Sequence, residues 1–458
     1  MTSQFAGMRV LIVGLGVSGY SAARALAGLD AKVRVTERTD GPLVRQRAEA
    51  LRALGVEVEV GGHDLEAAFA DVAVISPGIP LDAPVVAHLT GQGIAIWSEI
   101  ELGFRLGRGQ DFIAVTGTNG KTTTTGLLAA MLDEAGVGAV AAGNIGAPLV
   151  DAVFESPPEG VIVVEVSSFQ LATIELFRPK VAVLLNIDED HTDWHGSVAA
   201  YAAAKERITL NQTPSDALVF NFDDERCRAI ATRAAARPVP FSRSHAPAAG
   251  IGVAGGEVLW RGESLLSVDD IPLAGVPGVD DTMAAVAAAL EYGADAKAIV
   301  RALKGFRPPS HRMELVADVG SVTYIDDSKA TNPHATLAAV QGLSDVVLIA
   351  GGRSKGIDLS RLSSTVPPVR GVVALGEAAG EIESLFTGLV PVQRADDMAE
   401  AVELATGMSV PGGSVLLSPG CASLDMYESY AARGEEFARA VKRLLEVESP
   451  TRSDDGDS

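Results

Sequence analysis

The chain has 458 residues, 47% of them hydrophobic and 21% charged, enough at about 100–200 residues per domain for roughly three globular domains. Its formal net charge of −22 argues against general binding to nucleic-acid backbones, so any phosphate must be held locally by backbone N–H groups, a few lysines or a metal. No apolar run approaches the roughly 18 residues of a membrane span, and the two cysteines, Cys227 and Cys421, have no metal-ligand spacing, which fits a reducing compartment. The expectation is a cytoplasmic protein with no nucleic-acid partner and no membrane insertion.

Short β-branched runs alternate with alanine-rich helical stretches, the pattern of βαβ units around parallel sheets. The first block opens at Arg9–Val13 and includes strands at Asp71–Ser76 and Ile94–Ser98. Its first strand runs into Gly14-Leu15-Gly16-Val17-Ser18-Gly19 and then a helix, with the acidic Glu37 further on. Taken alone this is a dinucleotide fingerprint, and the plain reading is an NAD-dependent oxidoreductase. A single such fingerprint is weak.

A second block begins at Asp111–Thr116, where an apolar strand enters Gly117-Thr118-Asn119-Gly120-Lys121-Thr122-Thr123 and a helix follows. Glycines let such a loop curl so that N–H groups face phosphate oxygens, and the helix N-terminus adds its positive end. Lys121 is placed to reach the β- and γ-phosphates, and the Thr122 hydroxyl to ligate Mg²⁺. Val115 stands where a strict P-loop has its outer glycine, so the match is to a shorter Gly-Thr-Asn-Gly-Lys-Thr form. The ordinary alternative is a glycine-rich strand–helix turn without a ligand.

The next strand, Val161–Val166, contains Glu165 and continues into Ser167-Ser168-Phe169-Gln170. A carboxylate at the carboxyl end of a parallel strand lies at the ligand edge of the sheet, and magnesium favours a few carboxylates with phosphate oxygens and water. Seen alone, Glu165 is equally a strand-end acid. After the strand within Lys180–Ile187 comes Asp188-Glu189-Asp190-His191, where His191 is either a second metal ligand or structural. Lys205, in the helical stretch Tyr201–Arg207, reads as a solvated cation.

The stretch Arg237–Pro272 has weak alternation and many Gly and Pro, and is expected to form a small meander. A third block begins at Ser321–Asp326, followed by Asp345–Ala350, Gly371–Leu375 and Ser414–Ser418. Junctions are expected at Leu106–Gln110 and Phe306–Ser310, and the acidic tail beyond Pro450 reads as disordered.

Together these motifs resemble the Mur ligases, over nearly the whole chain. Gly117–Thr122 resembles their ATP loop and Gly143-Asn144-Ile145-Gly146 the following substrate-side loop. Glu165-Val-Ser-Ser-Phe-Gln170 is similar to the signature of the member that adds D-glutamate. Asp327-Ser328-Lys329-Ala330-Thr331-Asn332, Gly351-Gly352-Arg353-Ser354-Lys355-Gly356 and Ser418-Pro419-Gly420-Cys421-Ala422-Ser423 match segments of the C-terminal domain.

The resemblance implies an α/β fold of three domains: a Rossmann-like UDP-substrate domain over 1–108, a central P-loop ATP-binding parallel-sheet domain over 109–306, and a Rossmann-like amino-acid-binding domain over 307–448, before a tail at 449–458. It implies ATP and two Mg²⁺ sites, no NAD, a monomer, and UDP-N-acetylmuramoyl-L-alanine and D-glutamate as substrates. Gly117, Thr118, Asn119, Gly120, Lys121, Thr122 and Thr123, with Arg312 and Asp327, would hold the nucleotide. Thr122 and Glu165 would bind one Mg²⁺; His191 and Lys205, the latter as a carbamate, would bind the second. The glycine turn Gly14, Leu15, Gly16, Val17 and Ser18 would hold the UDP diphosphate, with Glu37, Arg38, Ser76, Pro77, Gly78, Asn144, Ser167 and Gln170 as further substrate contacts. Lys329, Thr331, Lys355, Ser423, Leu424 and Tyr430 would line the amino-acid pocket.

The chain departs from the family pattern in places. Gly278-Val279-Asp280-Asp281-Thr282-Met283 stands where many members carry a His-Asn pair near the adenine, and Pro308-Pro309 replaces the usual Gly-Leu before His311-Arg312. Alternatives are another ligase of the superfamily, such as a different Mur member or a folylpolyglutamate synthase, and an NAD-dependent dehydrogenase.

Overall fold

Five Val- and Ile-rich runs of the N-terminal region, each too short for a stable helix, form one parallel sheet. They are β1 (Arg9–Val13), β2 (Lys32–Glu37), β3 (Glu57–Val60), β4 (Val72–Ile75) and β5 (Ala95–Ser98), in the order β3-β2-β1-β4-β5. The order reverses at β1, which puts the Gly14 turn at the switch point where open α/β sheets bind ligands. The computed structural model describes residues 4–63, 70–273, 275–307, 310–319, 321–341, 343–354 and 357–448. The tail and Pro308-Pro309 lie outside the described residues.

The second sheet has nine strands: β6 (Asp111–Thr116), β7 (Ala139–Gly143), β8 (Val161–Glu165), β9 (Val181–Leu184), β10 (Ala217–Asn221), β11 (Arg237–Ser242), β12 (Ile251–Ala254), β13 (Glu257–Trp260) and β14 (Glu263–Ser267). The order is β14-β13-β12-β11-β10-β9-β6-β8-β7. It is parallel through β12, and β13 and β14 complete an antiparallel edge. Only the last three strands are therefore the meander expected for Arg237–Pro272. Arg237–Ser242 instead extends the parallel sheet, because its Val239 and Phe241 are buried.

The third sheet contains β15 (Glu314–Val319), β16 (Val322–Asp326), β17 (Val346–Gly351), β18 (Val369–Leu375), β19 (Val392–Ala395) and β20 (Ser414–Leu417), in the order β15-β16-β20-β17-β18-β19. Strand β15, absent from the sequence reading, is an antiparallel edge whose Leu315 is 63% exposed. A strand this little buried leaves a faint apolar signature.

Contacts divide the chain into two compact units: Met1–Ile187 with Ala199–Asp270 and Asp280–Phe306, and Asp188–Val198 with Ile271–Val279 and Arg307–Ser458. The first unit contains both the first and second sheets, and they share one apolar core that includes Trp97, Ile100, Leu106, Phe112, Leu149 and Phe177. The Leu106–Gln110 junction is stitched down. Arg108 and Gln110 both donate to the carbonyls of Val153 and Ser156. The helix Glu99–Leu106 also sends the fully buried Glu101 across, where it accepts the N–H groups of Glu175, Leu176 and Phe177 at 2.8–2.9 Å.

Candidate active site

In the first unit, strand register brings three loops to one edge. Val115 of β6 pairs with Glu165 of β8, which pairs with Gly143 of β7. The ends of these strands carry the glycine loop, Glu165 and the Asn144 loop. Asn186, after β9, braces the glycine loop: its side-chain oxygen accepts Asn119 N–H at 2.8 Å, and its backbone oxygen accepts Thr118 N–H at 2.9 Å. Tyr201 Oη donates to Thr118 Oγ1 at 3.2 Å. Gly120 has φ +83°, and a Cβ there would lie 2.1 Å from Asp281 Oδ1, so both backbone and space demand glycine. Asp281, 4% exposed, was not foreseen as part of this loop's surroundings.

Lys121 Nζ donates to the carbonyls of Gly117 and Thr118 at 2.9 and 2.8 Å, across the curl of the loop. Thr122 is half-buried at the start of the helix Lys121–Glu134, and Thr123 is buried beneath it. Glu165 is 2% exposed. Its Oε1 accepts Asn144 Nδ2 at 2.8 Å, while its buried Oε2 accepts no hydrogen bond. An unsatisfied buried carboxylate oxygen is costly in a dry site. A hard cation shared with phosphate oxygens would remove that cost, so the donor set fits Mg²⁺.

Lys205 is not the solvated cation its helix suggested. It is 1% exposed, with Nζ donating to Gly117 O at 2.7 Å and lying 4.6 Å from the Tyr201 ring centroid. Ser167 and Gln170 turn their polar groups on each other. Ser167 Oγ accepts Gln170 N–H, and Gln170 Oε1 accepts both Ser167 N–H and the Ser167 hydroxyl, a capping box on the short helix Ser168–Leu171. These bonds give both residues a local structural role.

At the first sheet's switch point, Gly14 has φ +96°, and a Cβ there would meet Ser76 Oγ at 2.5 Å. Ser76 Oγ is buried without a partner; Pro77 is half-buried and Gly78 exposed beside it. Gly16, Val17 and Ser18 begin the helix Val17–Ala27, with Val17 57% exposed. Glu37 accepts Leu15 N–H at 2.7 Å and both the N–H and hydroxyl of Thr39 at 2.8 Å, while Arg38 is exposed. Burial works to raise the Glu37 pKa, but the Leu15 and Thr39 hydrogen bonds outweigh it and hold the carboxyl below its ordinary value.

In the second unit, His191 has a left-handed backbone, φ +51°. Asp327 is 5% exposed and accepts the Ser418 hydroxyl at 2.9 Å; burial pushes its pKa up to about 7 against the nearby Arg312 charge. Arg312 Nε is buried without a partner. Lys329 Nζ lies 5.5 Å from the Tyr430 ring centroid; Thr331 is half-buried, Ser423 buried and Leu424 60% exposed. Lys355 lies outside the described residues.

Arg433 escaped the sequence reading. It is 2% exposed and donates to Ser328 Oγ, Ser328 O and Cys421 O at 2.8–3.2 Å. From the helix Tyr430–Glu448 it clasps the loops after β16 and β20. Desolvation lowers its pKa to about 10. Nothing local marks it, because its partners are 105 and 12 residues away.

Three domain families match in chain order: the Mur ligase MurD-like N-terminal domain over 8–98, the Mur ligase middle domain over 115–289, and the Mur ligase glutamate ligase domain over 311–421. The chain belongs to the Mur ligase family. The UDP-N-acetylmuramoylalanine–D-glutamate ligase of Frankia casuarinae is 43% identical over 96% of this chain and 94% of its own. That of Acidobacterium capsulatum is 41% identical over 95% and 96%. Among solved structures, the UDP-N-acetylmuramate-alanine ligase MurC of Thermotoga maritima superposes with TM-score 0.59 at 20% identity, covering 96% of this chain and all of that one. The MurF ligase of Thermotoga maritima in complex with ADP superposes with TM-score 0.61 at 15% identity, covering 91% and 96%. At these identities the structures speak to fold alone. Among the described residues no helix is long and apolar enough to cross a membrane.

Proposed function

We propose that the chain is a cytoplasmic, monomeric ligase that uses ATP to join D-glutamate to UDP-N-acetylmuramoyl-L-alanine, giving the amide, ADP and phosphate in peptidoglycan precursor synthesis. The observation that carries this reading is identity above 40% over nearly the full length to ligases of that name, joined to a glycine loop whose Lys121 stands with Glu165 of β8 at one sheet edge. Residues 1–108 would hold the UDP-substrate, 109–306 the ATP and 307–448 the amino acid.

A carboxylate is a poor electrophile, so it must first gain a leaving group. The precursor's carboxylate attacks the γ-phosphorus and ADP leaves. The glutamate amine then attacks the acyl phosphate, loses a proton, and expels phosphate. Lys121 exchanges its loop carbonyls for phosphate oxygens and screens the meeting of two anions. Thr122 and Glu165 would hold Mg²⁺, which when bound would supply charge neutralisation for the phosphates. His191 and Lys205 are the residues assigned to a second ion. Lys329, Thr331, Lys355, Ser423, Leu424 and Tyr430 receive the amino acid.

The reaction has a traceable atom. With ¹⁸O in the precursor's carboxylate, one labelled oxygen should appear in the released phosphate. Unlabelled phosphate alongside labelled amide would rule out the acyl phosphate.

A further inference from the structure

The segment Asp188–Val198 follows β9, yet it belongs to the second compact unit. Two of its side chains bond to other residues of that unit. Asp188 accepts Arg361 Nη1 at 2.6 Å and lies 3.5 Å from His334 Nε2. Asp190, 7% exposed, accepts Asn332 Nδ2 at 3.2 Å through Oδ2 and His191 N–H at 2.9 Å through Oδ1. Asn332, 3% exposed, is itself committed on its other side: its Oδ1 caps the helix Pro333–Val340 by accepting Ala335 N–H at 2.9 Å.

This is a buried chain of hydrogen bonds from a rigid helix start to the backbone of His191. The backbone it fixes needs fixing. A non-glycine residue at φ +51° sits in a sparsely populated region and stays there only when its surroundings over-determine it. The amide side chain of Asn332 is the natural relay, because it accepts on one side and donates on the other. It also immediately follows Thr331, two residues beyond Lys329–Ala330.

We propose that Asn332 and Asp190 are positioning residues that set the orientation of His191 and couple it to the Lys329–Thr331 segment. The proposal rests on the reading of His191 as a metal ligand and of that segment as part of the amino-acid pocket. Neither residue touches reacting atoms in this account. Movement of the amino-acid segment is felt at His191 through one amide.

The test uses a polarity swap in the full chain. Asn332→Asp keeps a good helix cap but removes the donor and sets two carboxylates against each other. Adding Asp190→Asn restores the pair with its direction reversed, and the introduced amide still offers an oxygen to His191 N–H. Amide hydrogen exchange over residues 191–195 is read without metal or substrates; the magnesium concentration for half-maximal phosphate release and the KM for D-glutamate are read in the assay. Asn332→Asp should speed exchange about tenfold and raise the magnesium requirement and the KM for D-glutamate by a similar factor, with the KM for the UDP-substrate within twofold. The double variant should bring all of these to within about threefold of wild type.

Unchanged exchange in Asn332→Asp, or a double variant no better than the single ones, overturns the relay. Altered exchange with an unaltered magnesium requirement overturns its link to the metal. Exchange that shifts and is restored, in a protein with no ligase activity at all, supports the relay and rejects the proposed function instead.

Discussion

Glu165 Oε2 is a carboxylate oxygen buried without a hydrogen bond while its twin is held by Asn144. Glu165→Gln keeps that held oxygen and removes the charge. It should raise the magnesium needed for half-maximal turnover at least about tenfold, the scale of one charge-assisted contact, with thermal stability within a few degrees of wild type. A magnesium titration superimposing on wild type would remove Glu165 from the metal site. Lys205 offers a second test. Its Nζ is buried against the Gly117 carbonyl, and carbamylation by CO₂ would turn that amine into an anionic oxygen ligand of the kind magnesium favours. Lys205→Ala should lose most turnover and regain part of it in buffers containing a short carboxylic acid. Lys205→Arg supplies only the cation and should stay inactive with or without the acid. Wild-type turnover in the arginine variant would show that positive charge was the requirement.

At the scale of elements, the helix Glu99–Leu106 joins the first two sheets through two buried acids of different character. Glu101 has four donors around it, three backbone N–H groups and Arg105. Glu99 accepts Val150 N–H at 2.6 Å, and its Oε2 is buried without a partner. Burial first, with Asp151 adding to it, pushes its pKa up to about 8. In the folded protein Glu99 therefore holds its proton over a range where the unfolded chain has lost it. The stability this contributes is present below pH 4.5 and lost as pH rises toward about 8. Glu99→Gln should melt higher than wild type at pH 8 and flatten the decline of stability between pH 5 and 8, an effect of at most about 5 kcal/mol. Parallel stability–pH curves for the two proteins would show that Glu99 is ionised in the fold.

Across the whole molecule, what was legible in the chain was what is contiguous in it. The strand–loop–helix around Gly117–Thr123 reads locally because β6, the loop and the helix are consecutive, and Glu165 reads because it ends an apolar run. What was not legible comes from register and long-range pairing. Lys205 looks like any lysine on an alanine-rich helix until packing brings it to the Gly117 carbonyl, 88 residues away. Asn332 and Asp190 are 142 residues apart. Ser167 and Gln170 mark a signature, yet the bonds they make are those of a helix cap, a local rule that the sequence already contained. The central claim concerns which substrates the three sheets serve. It is tested most directly by phosphate release from ATP and Mg²⁺ with UDP-N-acetylmuramoyl-L-alanine and, in parallel, D-glutamate, L-glutamate, L-alanine or a diamino acid. The account predicts turnover with D-glutamate at least about 100-fold above every other acceptor, since a site built to pair the side-chain carboxylate leaves its polar groups unpaired when that carboxylate is missing, as in L-alanine, or misplaced, as in L-glutamate. Equal use of L-glutamate, or preference for L-alanine or the diamino acid, would contradict it.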